Sequence, residues 1–431
     1  MKKPFIAFTF ALALTLVAGH PSYAQKAPEV NIYIDPTLPW SERMALSEIH
    51  RLQMNISKNL SQTSRKWGYL YGLMLPALND VAKRTGKDVY YQLSQSFAEM
   101  RIKPDGTIHG YDVKVYNIDH ISAGNVLFYV YERNREERYK KAMDLVRSQL
   151  DSHPRTFNGG FWHKKIYTHQ MWLDGLYMCN PFYAHYEQLY GDGSNYEDIA
   201  RQFIIMERQA RDFETGLLYH GWDSAAKMFW ADPITGLSKN FWGRGVGWYA
   251  MGLVDTLDYF PEDHPRRDDL IAILKRLADA MAKVQDPSGL WWQVLNMPNR
   301  KGNYKEATVT NMFTYSVIKG VRKGYLDPSY LDMAAKAWQG IHTEFITVDD
   351  DDHEVHMDNS CGTAGLGSKV RADGTYDQRR DGTFEYYASE KIRFDDGKAT
   401  APFIRAALDI ESMDEWLSKD MDSKIAMFEL Q

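Results

Sequence analysis

Apolar residues recur at three- and four-residue spacing in one segment after another beyond about Pro39, while strand-like alternation is scarce before residue 340. This spacing places apolar side chains on one face of a helix. The chain is therefore expected to be mostly helical. The predicted helices are 40–60, 65–85, 87–102, 118–134, 136–150, 171–190, 193–211, 243–259, 265–285, 306–323, 328–346 and 399–416.

The connections between these helices alternate in length. Short turns, such as RTGKD (84–88) and YGDGS (190–194), alternate with much longer segments. Six helical pairs are indicated, with their short and long turns at opposite ends. We therefore expect an all-α (α/α)6 barrel, a double ring of six helical hairpins in which the second helix of each pair lines the inside. A helical solenoid is the alternative, but the pairs lack a readable consensus repeat.

The long connections are rich in polar and aromatic residues. Each ends where an inner helix is predicted to begin, so all of them are expected on one face of the ring. Residues 343–398 alternate and turn like small β-hairpins inserted before the last helix. The four polar connections are residues 105–119, 158–174, 218–245 and 287–306.

The N-terminal residues are typical of a secretory signal peptide. Residues 1–24 combine two lysines, an apolar run and the small-x-small site SYA (22–24). A membrane anchor is the alternative, but the run is short and ends at GHP (19–21). We expect cleavage after Ala24, a periplasmic or secreted bacterial protein without membrane insertion, and a single domain over residues 25–431.

Composition and charge exclude several classes of partner. The chain is 44% hydrophobic and 25% charged, as in soluble folded proteins. Its formal charge of −6 becomes −8 without Lys2 and Lys3, because residues 1–24 contain no acid. Nucleic acid is therefore not an expected partner, and an anionic ligand needs a few local cationic side chains. Cys179 and Cys361 are expected as small buried residues, with a disulfide between them as the alternative.

Two aspartates stand at the predicted starts of inner helices. Asp174 lies in HQMWLDGLYM (169–178), and Asp119 lies in the equivalent position of NIDH (117–120). An aspartate at a helix start commonly caps free backbone N–H groups. The ring, however, brings these two carboxylates towards one mouth, and paired acids can hold one carboxyl protonated near neutral pH. Asp174 is therefore expected both to cap its helix and to take part in acid–base chemistry.

Cationic and aromatic residues accompany both aspartates at the ends of the long connections. Tryptophans inside a helical ring usually belong to the core, but beside cations at loop ends they are typical of platforms for sugar rings. These neighbours are His163, Lys164, His220, Arg244, Tyr69, Trp172, Trp242 and Trp248.

Three other motifs predict no metal or cofactor. Asp349 to Asp352 lack the spacing of a calcium-binding loop. His353-x-x-His356 is not the zinc motif of metalloproteases, and the glycines of GRGVG (243–247) do not follow a strand as in dinucleotide-binding proteins.

Several longer motifs resemble one enzyme family. The similarity runs from about Trp67 to about Glu411, to the unsaturated rhamnogalacturonyl hydrolases of glycoside hydrolase family 105. The related unsaturated glucuronyl hydrolases of family 88 match less well. The motifs are MWLDGLYMCNPFYAHY (171–186), FWGRGVGWYAMGLVDTLDYFP (241–261), GLWWQVLN (289–296), GLG (365–367) and DGTFEYY (381–387).

The resemblance implies a fold, a reaction and a set of site residues. It implies an (α/α)6 barrel that uses no metal or organic cofactor and removes a terminal 4,5-unsaturated uronic acid from an anionic oligosaccharide, such as lyase-cleaved rhamnogalacturonan from pectin. The general acid and base falls on Asp174 and the second family aspartate on Asp119. The implied substrate-binding residues are Tyr69, His163, Lys164, Trp172, His220, Trp242, Arg244 and Trp248.

The chain also departs from the family pattern. A Ser/Thr-rich run is expected after the glutamate of the tenth helix, where this chain has EATVTN (306–311). Loops 218–241 and 296–306 are long and individual, so they are expected to select the leaving glycan. The alternatives are an unsaturated glucuronyl hydrolase, another α/α-barrel glycosidase or lyase, and a non-catalytic glycan-binding protein.

Overall fold

The fold is built almost entirely from helices. The structure is a computed structural model that describes residues 33–58, 67–367, 375, 378–418 and 421–430. All twelve predicted helices are present, which confirms the prediction of a mostly helical chain. They are α1 (Trp40–Lys58), α2 (Tyr69–Thr85), α3 (Gln92–Arg101), α4 (Asn125–Asn134), α5 (Glu137–Asp151), α6 (Leu173–Tyr190), α7 (Tyr196–Ala210), α8 (Gly243–Leu257), α9 (Arg267–Lys283), α10 (Ala307–Arg322), α11 (Leu331–Glu344) and α13 (Gly397–Glu411). Three further short helices are α12 (Phe384–Ser389), α14 (Met413–Trp416) and α15 (Asp422–Ala426).

Six of these helices form a closed inner ring. In order around the ring they are α2, α4, α6, α8, α10 and α13, and α13 packs back on α2. The 3₁₀ turn Ser122–Gly124, just before α4, makes the contact with α6. The other long helices, α1, α3, α5, α7, α9 and α11, pack outside this ring. The predicted (α/α)6 barrel is therefore confirmed.

Glycines let two inner helices pack closely on α8. A Cβ atom added at Gly252 would lie 3.1 Å from the backbone nitrogen of Tyr177 in α6. A Cβ atom at Gly247 would lie 3.0 Å from Cβ of Met312 in α10. Gly247, the last glycine of the GRGVG motif, and Gly252 thus serve helix packing, because a larger side chain at either position would push a neighbouring inner helix away.

The long connections all precede inner helices, as predicted, and one short antiparallel strand pair joins two of them. One of the predicted C-terminal hairpins is present, β3 (Ile346–Val348) with β4 (Val355–Met357). Strands β5 (Ser360–Cys361) and β6 (Ile392–Arg393) also pair, but α12 lies between them, so they are not a hairpin. The pair of β1 (Gln170–Trp172) with β2 (Gly221–Asp223) was not predicted. Because β1 occupies residues 170–172, the predicted start of helix 171–190 is wrong, and α6 begins at Leu173.

The C-terminal halves of the inner helices surround an ionic network. Asp255 of α8 binds Lys319 of α10 at 2.5 Å and Arg405 of α13 at 2.8 Å, and its carboxylate also accepts a hydrogen bond from the Tyr315 hydroxyl at 2.7 Å. These groups line a cavity of about 310 Å³ that contains none of the predicted site residues. Oppositely charged partners compensate the loss of hydration inside the ring.

The structure also bears on the predictions for the cysteines, the metal sites and the membrane segments. Cys179 and Cys361 are both buried and free, as expected. Asp349 to Asp352 lie in the turn between β3 and β4, and the described residues contain no His, Cys, Asp or Glu group suited to a metal ion. Among the described ranges no helix is long and apolar enough to span a membrane. The predicted signal peptide, residues 1–24, lies outside the described residues.

Candidate active site

The carboxylate of Asp174 is hydrogen bonded to a histidine and does not cap its helix. Asp174 is the second residue of α6, and no side chain caps that helix start. The capping expectation is therefore wrong. Oδ2 of Asp174 instead lies 3.0 Å from Nε2 of His220. The β1–β2 pair creates this contact, because the backbone N–H of Leu173 donates to the carbonyl of His220 at 3.0 Å.

His220 is completely buried and has a partner on each ring nitrogen. Its Nδ1 lies 2.7 Å from the hydroxyl of Tyr387 in α12. Burial lowers the pKa of His220, against the opposing effect of the hydrogen bond and negative charge of Asp174. The imidazole is therefore neutral near pH 7, with one nitrogen as donor and the other as acceptor.

Asp119 lies in a 3₁₀ turn and does not begin α4 as expected. The turn Ile118–His120 is capped by Asn117, whose side-chain oxygen accepts the N–H of Asp119. Helix α4 begins only at Asn125, so the predicted helix start at residue 118 is wrong.

Two cationic or hydrogen-bonding side chains hold the carboxylate of Asp119. Its Oδ2 is 2.6 Å from Nζ of Lys164, and its Oδ1 is 3.2 Å from Nε2 of His163. Burial alone would raise the pKa of Asp119, but the positive charge of Lys164 and the interaction with His163 outweigh it and hold this pKa well below its usual range. Asp119 is therefore ionised near neutral pH.

Trp172 lies between the two histidines that bind these aspartates. Its ring stacks on His163 at 4.3 Å with an interplanar angle of 17°, and its centroid is 5.8 Å from that of His220. The long connections before α4, α6 and α8 therefore meet around one indole ring. This arrangement agrees with the expectation that both carboxylates face one mouth of the ring.

Arg244 is buried at the start of α8 and is held by a backbone carbonyl. Its guanidinium donates to the carbonyl oxygen of Cys361 and lies 4.6 Å from the Trp242 ring centroid. Glu306 fixes the same loop, because its carboxylate accepts the N–H groups of Cys361 and Val309, each at 2.7 Å. Within the described part of the chain, no carboxylate forms a direct ion pair with Arg244, although, against the effect of burial, the negative charges of Glu306 and Asp396 act on it and raise its pKa.

The predicted aromatic platforms are mostly covered. Trp172, Trp242 and Trp248 are 5%, 0% and 1% exposed, whereas Tyr69 is partly exposed. Trp242 packs on His220 with ring centroids 4.5 Å apart, and Trp248 meets the edge of Tyr69 at 6.1 Å. The three indoles thus support the polar side chains around them and do not present open faces in this structure.

Comparison with known proteins identifies the family. The model of Glycosyl Hydrolase Family 88 matches residues 40–414. A solved family 105 glycoside hydrolase from C. acetobutylicum ATCC 824 is 41% identical, covers 87% of this chain and 100% of its own, and superposes with a TM-score of 0.79. The chain belongs to the family 88 and 105 glycoside hydrolases. The resemblance inferred from the motifs is therefore confirmed, and the protein is a glycosidase.

Several curated relatives carry functional names, and two of them illustrate the range. The unsaturated rhamnogalacturonyl hydrolase YesR of Bacillus subtilis is 25% identical over 250 residues, which are 57% of this chain and 69% of YesR. An unsaturated 3S-rhamnoglycuronyl hydrolase of Alteromonas sp. (strain LOR) is 26% identical over 245 residues, which are 54% of this chain and 57% of that protein.

Three further residues belong to this candidate site and were not predicted as site residues. Tyr387 binds His220, Glu306 fixes the loop that holds Arg244, and Gln293 binds both the indole N–H of Trp242 at 3.1 Å and the carbonyl of Tyr387 at 3.2 Å. Tyr387 stands in DGTFEYY (381–387), and Glu306 opens the run that departs from the family pattern. Their positions in the motifs are visible in the sequence, but their partners are set by tertiary contacts.

Proposed function

We propose that this glycosidase removes the terminal 4,5-unsaturated uronic acid from lyase-generated rhamnogalacturonan oligosaccharides of pectin. The names of the two relatives support the unsaturated uronyl substrate. The observation that carries the proposal is the unequal state of the two acids. Asp119 is ion-paired, whereas Asp174 binds only a neutral histidine and keeps Oδ1 without a partner among the described residues.

One acid is sufficient for hydration of an enol ether. In the unsaturated uronate the C4=C5 double bond is conjugated with the ring oxygen, so C4 is electron-rich. Protonated Asp174 delivers its proton to C4, which leaves an oxocarbenium-like centre at C5. The resulting carboxylate then takes a proton from the water that attacks C5. The hemiketal opens and releases the glycan, so no displacement occurs at the anomeric carbon.

The state of Asp119 argues against an ordinary two-carboxylate glycosidase. Such enzymes use one carboxyl as acid and a second as nucleophile or base, on either side of the anomeric carbon. Asp119 is held by Lys164 and His163 and is a poor proton carrier. In the proposed reaction it accepts hydrogen bonds from sugar hydroxyls and stays ionised throughout.

Arg244 is the proposed partner of the uronate carboxylate. Lys164 and His163 are already engaged with Asp119, whereas Arg244 is held by the carbonyl of Cys361 and by the Trp242 ring. A planar guanidinium also matches a carboxylate in two parallel hydrogen bonds. This assignment supplies the local positive charge that an acidic protein needs in order to bind an anionic sugar.

The test follows ultraviolet absorbance during incubation with lyase-generated rhamnogalacturonan oligosaccharides. The conjugated enol ether absorbs and its hydration product does not, so absorbance falls as the reaction proceeds. We expect a fall with the wild type, the same fall with the exposed control Asp263→Asn, and a loss of roughly 100-fold or more with Asp174→Asn. Near-normal turnover by folded Asp174→Asn would contradict the role of Asp174.

The choice of oligosaccharide separates the closest alternatives. Unsaturated glucuronyl and rhamnoglycuronyl oligosaccharides are tested beside the rhamnogalacturonan products. A family member that acts on another polysaccharide would consume one of these oligosaccharides. Activity confined to those substrates would replace the pectin assignment and keep the chemistry. Binding without absorbance loss on any of them would favour a glycan-binding protein.

We also propose that the mature protein begins at Gln25 and works in the periplasm or outside the cell. The support is the residue pattern of 1–24, which joins two lysines, an apolar run and a small-x-small site. Expression of the full chain in a bacterial host, fractionation and N-terminal sequencing test the proposal. Protein that keeps Met1 and stays with the cytoplasmic fraction would contradict it.

A further inference from the structure

The general acid stands at one end of a buried hydrogen-bonded chain. Oδ2 of Asp174 lies 3.0 Å from Nε2 of His220, and Nδ1 of the same ring lies 2.7 Å from the Tyr387 hydroxyl. His220 and Tyr387 are both fully buried. No substrate atom is needed to satisfy either nitrogen of the imidazole, so His220 is placed to act on Asp174.

The protonation states along this chain follow from burial. Burial lowers the pKa of His220 and raises that of Tyr387 well above its usual value, so both groups are uncharged near neutral pH. A neutral imidazole carries one hydrogen. When the Tyr387 hydroxyl donates to Nδ1, that hydrogen must lie on Nε2, where it points at the carboxylate of Asp174.

Tyr387 is itself held in place by several contacts. Its ring lies parallel to Trp242, with centroids 5.7 Å apart and an angle of 10°. The side chain of Gln293 donates to the Tyr387 carbonyl at 3.2 Å and accepts from the Trp242 indole at 3.1 Å. Thr383 caps α12, the short helix that carries Tyr387. The hydroxyl is therefore presented to His220 from a fixed position.

We propose that Tyr387 is a positioning residue for the general acid and base. Its hydroxyl holds His220 in the Nε2–H tautomer, which binds Oδ2 of Asp174 and leaves Oδ1 to exchange the proton with the sugar. The Nε2–H group serves both stages of the reaction, because Oδ2 accepts it whether Oδ1 is protonated or ionised. This inference rests on the proposed function, and it assigns a role outside the substrate contacts.

Steady-state kinetics of Tyr387→Phe test this role. Phenylalanine keeps the ring packed on Trp242 and removes only the hydroxyl. We expect kcat to fall roughly 10- to 100-fold while KM changes less than about twofold, because the lost contact orients the acid and does not touch the sugar. Tyr249→Phe is the matched control, since its buried hydroxyl donates to the Phe203 carbonyl at 2.9 Å, away from Asp174. The control should keep wild-type kinetics.

A double-mutant cycle separates positioning from a general loss of packing. If Tyr387 acts through His220, Tyr387→Phe should cost little further activity in a His220→Ala background. A fully additive loss in the double variant, or an unchanged kcat in Tyr387→Phe alone, would overturn the proposal. Either result would leave the proposed function intact as long as the wild type consumes the unsaturated substrate.

A spectroscopic measurement tests the chain without any substrate. The ¹⁵N signals of His220 are identified by their absence from the spectrum of His220→Ala. We expect the Nε2–H tautomer in the wild type and a shift towards Nδ1–H in Tyr387→Phe, with no change in Tyr249→Phe. An identical tautomer in wild type and Tyr387→Phe would refute the positioning role. If the wild type is inactive on unsaturated uronides, but Tyr387→Phe shows the expected tautomer shift, the proposed function is refuted and the positioning role of Tyr387 is kept.

Discussion

Nζ of Lys164 lies 2.6 Å from Oδ2 of Asp119, and this ion pair keeps the second acid of the site ionised. Lys164→Met should therefore raise the pKa of Asp119 and destabilise the protein by roughly 1–3 kcal/mol at pH 7, because a partly buried carboxylate loses its partner. Turnover should fall as well, since Asp119 no longer offers a fixed acceptor to the sugar. Thermal melting and absorbance kinetics measure the two effects.

The difference in stability between the wild type and Lys164→Met should change with pH in one direction. A depressed folded-state pKa contributes stability above the unfolded-state value, and this contribution is lost only as the pH falls through the folded-state pKa. The wild type keeps its Asp119 contribution in mild acid, while Lys164→Met can protonate Asp119 there. The difference in melting temperature should therefore shrink as the pH falls from 7 towards about 4. Lys165→Met, at the exposed neighbouring position, is the control and should show no such trend.

Arg244 should govern affinity for the free uronate. We expect Arg244→Lys to raise KM roughly tenfold, because an ammonium group keeps the charge but loses the planar pair of hydrogen bonds and the contact with the Cys361 carbonyl. Kinetics with the free acid and with its methyl ester measure this effect. The wild type should prefer the acid, and the variant should lose most of that preference. An equal preference in both proteins would place the carboxylate elsewhere.

The helices could be predicted because their signal is local. The apolar spacing located all twelve long helices, and the alternation of short and long connections gave the ring. The start of α6 could not be predicted, because Gln170–Trp172 forms a strand only by pairing with Gly221–Asp223, about fifty residues further along the chain. A strand of three residues is too short to show an alternating pattern, so this tertiary pairing could not be predicted from the sequence.

The predicted site residues lie close together in the structure, but their contacts could not be predicted from the sequence. Asp174 was expected to cap its helix, and the structure gives it His220 as its partner. The tryptophans were expected as open platforms, but they are buried. Residues of the loops before α8 and α13 pack on Trp172 and Trp242, whereas Trp248 packs against Tyr69 and Tyr177 inside the ring. Tyr387 lay within a recognised motif, yet its link to His220 spans 167 positions and follows from the fold alone.

The ionic network inside the ring should stabilise the barrel without serving catalysis. Asp255 neutralises both Lys319 and Arg405, and all three are buried or nearly so. Asp255→Asn removes one buried charge, while Lys319 keeps Asp258 at 2.6 Å and Arg405 keeps Asp80 at 3.0 Å. We therefore expect a loss of about 3 kcal/mol in the free energy of unfolding, at the lower end for a broken buried ion pair. Chemical denaturation measures it, with exposed Asp263→Asn as the control. The kcat of the folded variant should be unchanged, and a parallel loss of kcat would link the network to the site.

Asp409 lines the same cavity, and its contribution to the stability of the protein should change with pH in the opposite direction to that of Asp119. Burial raises the pKa of Asp409 to about 6, although Arg322, whose Nε is 3.0 Å from its carboxylate, pulls it down. A raised folded-state pKa contributes stability below the unfolded-state value, and this contribution is lost as the pH rises through about 6. The wild type should therefore lose about 2 kcal/mol between about pH 4.5 and pH 7 through this group.

Asp409→Asn isolates that loss, because the amide is neutral at every pH, like the protonated acid. The stability of the variant minus that of the wild type should rise between about pH 4.5 and pH 7 and become constant above that range. Urea unfolding at several pH values measures this difference. The pH 4.5 value serves as an internal reference, because both proteins are then uncharged at position 409 and any packing defect of the amide is already included. A difference that is flat or falls with pH would show that Asp409 is ionised in the folded protein and that Arg322 outweighs burial.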